Sequence, residues 1–131
     1  MTVHVHILGI VFVMLAVVHV IFPRFFRWKE EFATVSLINR QMMYVHAAFI
    51  AVVVLGIALL CLMKADELIH TPLGRYLCLL LSIFWTLRLL VQFFGYSSVL
   101  WRGKLFETTV HVVFAAFWAY AAMVFGFIAL G

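Results

Sequence analysis

The sequence predicts an all-α integral membrane protein: a four-helix up-down bundle with a short cytoplasmic interfacial helix between spans one and two. Two observations predict it. First, the 131-residue chain is 68% hydrophobic and 11% charged, with a mean hydropathy of +1.22. A soluble domain of this length has too little interior to hide so much apolar surface. Second, four apolar stretches each approach the roughly 20 residues a helix needs to cross a bilayer. Lipid offers no partners to open backbone amides, and β-barrel strands would be shorter and alternating, so these stretches are helices.

The elements follow in chain order. Span one covers Val3–Phe22. It lacks a basic leading stretch, its apolar run exceeds that of a secretion signal, and no small-residue cleavage site follows, so it reads as a retained helix. Pro23 can open a new helix, and Phe25, Trp28, Phe32 and Val35 then recur at spacings of three or four. That stripe, with Arg27 and Glu31 as an i,i+4 pair, reads as an amphipathic helix in the cytoplasmic interface. Span two is Gln41–Met63. Thr71-Pro72 supplies an N-cap and a first-turn proline for span three, Pro72–Phe94, which Gly95 ends. Span four is Leu105–Leu130. Trp28, Tyr96 and Trp101 suit an interfacial aromatic belt. With no repeat, low-complexity tract or linker, residues 1–131 read as one transmembrane domain.

Charge sets the expected orientation. The connections after spans one and three hold Arg24, Arg27, Lys29, Arg40, Arg102 and Lys104. The other side has only Lys64 and Arg75, offset by Asp66 and Glu67. The positive-inside rule places the basic loops in the cytoplasm and both termini outside, in a cell (inner) membrane. The net charge of +4 is thus a topology signal, and no nucleic-acid motif accompanies it.

Topology brings distant histidines to one depth. His19 lies shortly before the end of span one; His46 and His111 lie shortly after the starts of spans two and four. At about 1.5 Å rise per residue, each sits roughly 5–9 Å inside a helix end on the basic side. Span three adds Arg88 and Gln92 to the layer. Ionisable groups at this depth are costly and point to function. A lone histidine near a helix end is more often an interfacial hydrogen-bonder, and the whole layer can equally be a polar seam that fixes helix register.

Two cofactors compete with that plain reading. Helices two and four are commonly diagonal in such a bundle, which suits haem b with His46 and His111 as axial ligands. Arg88, Arg40 or Lys104 would meet the propionates, Gln92 belongs to the cofactor-binding layer, and His19 would be left as an outer or propionate partner. Small residues, Ala47 and Ala48, Ala115 and Ala116, leave room for a macrocycle. The alternative gathers His19, His46 and His111 on one Fe, Cu or Zn ion, with Glu107 as fourth ligand or as the partner that orients His111. At the level of inward histidines in a four-helix bundle, the pattern resembles small membrane cytochromes of the b type; no family residues are carried over.

Other groups signal less. His4 and His6 lie two apart on a helix, about 200° around, and cannot share an ion; His70 stands in the outer loop. Cys61 and Cys78 offer a disulfide on an oxidising side, or two small buried hydrophobes. Met42 and Met43 can reach a soft metal, though methionine in an apolar helix usually packs. Residues 47–63 and 112–131 contain no ionisable Asp, Glu, Lys, Arg or His, which argues against a charged relay across the membrane. No nucleophile–base pair or nucleotide loop is present, so no catalytic residue is assigned. Three functions remain: a membrane redox protein binding haem b and exchanging electrons with a quinone near Arg88, Gln92 and Tyr96; a three-histidine metalloenzyme acting on a lipophilic substrate; and a non-catalytic subunit or assembly factor of a membrane complex. The expected partners are the lipid bilayer, a quinone or another membrane protein, and no nucleic acid.

Overall fold

The structure is a computed structural model that describes residues 1–96, 100 and 102–131. Trp101, assigned above to the aromatic belt, lies outside the described residues. The described residues are helical, with no strand. Four helices are long and apolar enough to cross a membrane: Thr2–Phe25, Leu37–Met63, Pro72–Gly95 and Leu105–Leu130. These bounds fall within a few residues of the predicted spans. Two compact units are formed, Val3–Ala65, and Asp66–Gly131 with Met1–Thr2.

In the Val3–Ala65 unit, helix α1 spans Thr2–Phe25, α2 Trp28–Glu31 and α3 Leu37–Met63. Val5, Leu8, Gly9, Phe12, Leu15 and Ala16 are the buried face of α1, and Ala51, Val54, Ala58 and Cys61 that of α3. Both sets follow the i, i+3, i+4 rhythm of a single helix face. Gly9 marks the closest approach: a Cβ there would lie 2.6 Å from the Leu62 side chain and 3.2 Å from the Ala58 carbonyl oxygen. Small residues give this intimacy between apolar helices, where hydrophobicity alone drives nothing in lipid.

Two local expectations change. Helix α1 runs through Pro23 and ends at Phe25, because a proline so near a C-terminus costs one ladder bond and the turn beyond it still closes, Phe26 N–H to Phe22 oxygen at 2.9 Å. The chain then breaks at Arg27, whose φ of 55° is left-handed. Helix α2 is therefore four residues long. Arg27 precedes it rather than belonging to it, so the i,i+4 pairing with Glu31 fails; its Nε lies 3.9 Å from Glu30 on an exposed surface.

In the Asp66–Gly131 unit, α4 spans Ala65–His70, α5 Pro72–Leu90 and α6 Leu105–Leu130. Thr71 caps α5 as the sequence predicts, its hydroxyl accepting from the Gly74 N–H at 2.9 Å, with Pro72 in the first turn. Gly74 is required there, since a Cβ would collide with the Glu67 carbonyl and the Leu68 backbone. Helices α5 and α6 pack along their length. Ser82 donates to the Ala122 carbonyl at 2.8 Å across that seam, opposite Gly126. Trp118, Ala121, Val124, Phe125 and Ile128 fill the α6 side. Cys61 and Cys78 are buried thiols, not a disulfide.

Burial is uneven along the helices. No residue of α3 before Ala51 is buried, and none of α6 before Ala115. The helix halves that carry His46 and His111 are thus the less covered ones.

Candidate functional site: a polar cluster on a π-turn

Helix α5 does not simply continue to Gly95. From Val91 to Gly95 it widens into a π-turn, after which Tyr96 is extended. An i→i+5 turn is rare and is frequent at functional sites. Here it places Gln92 inward: Gln92 is the buried polar residue of the described core, 7% exposed.

The Gln92 amide joins four groups. Its oxygen accepts from Arg88 Nη1 at 3.3 Å and from Trp118 Nε1 at 3.4 Å. Its nitrogen lies 3.0 Å from His111 Nδ1 and 3.4 Å from the His111 carbonyl oxygen. The two donors on the oxygen fix which way the amide points. The amide nitrogen is then a donor toward Nδ1, so Nδ1 accepts and the neutral imidazole carries its proton on Nε2.

Arg88 is held by aromatic faces. Its guanidinium carbon lies 4.9 Å from the Trp118 ring centre and 5.6 Å from that of Tyr96. Trp118 in turn stacks on Trp85, centroids 5.0 Å apart and planes within 4°. Such cation–π contacts are worth about 0.5–2 kcal/mol each, against roughly 2.5–3.5 kcal/mol or more for a charged side chain at the bilayer centre. No Asp or Glu forms an ion pair with Arg88 among the described residues. Of its five N–H donors, one meets a described acceptor, Gln92.

The other predicted site residues have surroundings of their own. His19, half-buried on α1, hydrogen-bonds through Nδ1 to the Leu15 carbonyl of its own helix at 2.8 Å, so its polarity is met locally. His46 is exposed and lines a recess with Phe32, Val35, Asn39, Met42 and Met43. Glu107 is exposed in the first turn of α6, where a carboxylate favours the helix dipole. Arg40 Nε is buried without a hydrogen-bond partner among the described residues. Among those residues, no group of three or more His, Cys, Asp or Glu side chains is arranged to hold a metal ion.

The structure thus brings together Arg88, Gln92 and His111 of the predicted layer with Tyr96, which the sequence also set near Arg88 and Gln92, and adds Trp85 and Trp118. Trp85 and Trp118 share helix faces with Arg88 and His111 in the sequence, which was the available signal. The π-turn had none. The chain matches no protein-family model, no curated protein and no solved structure.

Proposed function

We propose that this chain is an integral membrane protein that binds the acidic head of a lipophilic molecule at the π-turn cluster, with haem b as the first candidate. Arg88 carries the reading. A guanidinium within a span stays charged, and a carboxylate or phosphate answers it with short, paired, charge-assisted hydrogen bonds. The aromatic faces of Trp118 and Tyr96 hold it in place for that contact.

Haem b offers two propionates for Arg88 and an iron for His111. The cluster sets a condition on it. To hold the iron, His111 would offer its Nε2 lone pair and carry its proton on Nδ1, with the Gln92 amide presenting its oxygen to His111. That arrangement would take the Gln92 oxygen away from both Arg88 and Trp118, leaving the Arg88 donors for a propionate. In this reading the basic loops and the α2 region lie at the cytoplasmic face, the helices alternate in direction, and both termini lie outside.

A second reading rests on the same residue: a partner subunit supplies the missing carboxylate, and the chain is a component of a membrane complex. Purification in mild detergent, with an absorption spectrum and intact-complex mass measurement, separates these outcomes. A Soret band, or a retained anionic lipid, that is lost in Arg88→Gln supports the proposal. A stoichiometric protein partner lost in that variant supports the second reading. Retention of every companion by Arg88→Gln overturns both.

A further inference from the structure

The recess on the Val3–Ala65 unit has a chemistry of its own, independent of the π-turn cluster. It is an open recess of about 370 Å³ lined by Phe32, Val35, Asn39, Met42, Met43 and His46. At about 100° per residue, Met42 lies about 40° to one side of His46 on α3 and Met43 about 60° to the other. Two thioethers therefore flank one imidazole on a single helix face, and all three line the same hollow. None of the three is spent on the core: Met42 is 46% exposed, Met43 45%, and His46 is exposed. No described residue hydrogen-bonds the His46 ring, unlike the rings of His19 and His111.

We infer that Met42, Met43 and His46 form a binding site for a soft monovalent metal ion, Cu(I). Thioether sulfur selects Cu(I) over the harder divalent ions, and imidazole nitrogen completes a three-coordinate set that Cu(I) accepts. Methionine has three flexible torsions, so its sulfur adjusts to a ligand set without backbone movement. The set has no carboxylate and no thiolate, which disfavours Zn(II), Mg(II) and Ca(II). Phe32 and Val35 add apolar surface to the lining. Binding leaves the oxidation state unchanged and displaces only solvent.

The test uses the full chain in detergent, titrated with Ag(I) as the redox-inert stand-in and with Cu(I) against a chromogenic Cu(I) chelator. One equivalent is expected to bind, with Zn(II) failing to compete. His46→Ala and the double variant Met42→Leu, Met43→Leu should each weaken binding by at least about tenfold, the lower end of what losing even an outer partner of a metal ligand costs. Should a variant fail to fold, methionine methyl NMR on the unaltered chain decides: Ag(I) must shift Met42 and Met43 and leave Met1, Met14, Met63 and Met123 in place. No binding by the unaltered chain, undiminished binding in the variants, or shifts at other methionines overturns the assignment.

Discussion

Gln92 and His111, nineteen residues apart and on different helices, share a hydrogen bond of 3.0 Å from amide nitrogen to imidazole Nδ1. Gln92 is held in turn by Arg88 and Trp118. The tautomer of His111 is therefore set from the neighbouring helix, through one buried amide.

Gln92→Leu should destabilise the protein by about 1–3 kcal/mol, the cost of leaving buried donors without their acceptor. Denaturant or thermal unfolding in detergent measures it. Gln92→Glu offers the same acceptor to Arg88 and Trp118 with a negative charge, so it should retain more stability than leucine. Equal loss in both would mean that packing, not the hydrogen bonds, holds the cluster.

Arg88→Lys should not replace arginine. Lysine keeps the charge but loses the planar fork and its stacking on Trp118. An acidic lipophile should be held less well by lysine than by arginine, and least by glutamine. Equal retention in the lysine and arginine proteins would reduce Arg88 to a point charge.

Two glycines separate backbone from side-chain contact. Gly74→Ala drives a methyl into the Glu67 carbonyl and the Leu68 backbone, and overpacking of this kind costs about 1–3 kcal/mol or more. Gly9→Ala meets chiefly the Leu62 side chain, 2.6 Å away, which can turn aside. Thermal unfolding should show Gly74→Ala as the more damaging change, and the reverse order would contradict the contacts described.

Thr71→Ala removes the hydroxyl that accepts from Gly74 N–H at 2.9 Å. The expected loss is about 0.5–2 kcal/mol, with Thr71→Ser close to unaltered.

The proposed orientation is testable because Cys61 and Cys78 are buried. In intact cells, a membrane-impermeant maleimide should miss a cysteine placed at Lys29 and label one placed at Glu67. The opposite pattern would invert the topology.

The spans were legible because length and hydropathy are local properties and lipid admits one backbone solution. The Thr71 cap was legible for the same reason. Arg88, Gln92 and His111 were placed in one layer by counting depth along helices; that Gln92 links the other two through its amide came from the structure. What escaped was geometry that no single residue type announces. The left-handed Arg27 broke the amphipathic stripe and redirected its ion pair, although arginine has no preference for that conformation. The local bond of His19 to Leu15 was equally invisible, since any helical residue offers a carbonyl four positions back. The π-turn arises from a run, VQFFG, that would suit an ordinary helix until its last residue.

That widened turn has a consequence for anyone aligning this chain. It puts one extra residue into the last turn of the helix, so Val91–Gly95 do not keep the angular spacing of Pro72–Leu90. A helical wheel drawn unbroken across Pro72–Gly95 still places Gln92 beside Arg88 but loses register by the end of the turn, where Tyr96 leaves it. Removing one residue from Val91–Gly95 should restore the ordinary pitch and swing Tyr96 by roughly 100°, away from Arg88. A homologue one position shorter there would keep the same span and the same composition while lacking the cluster.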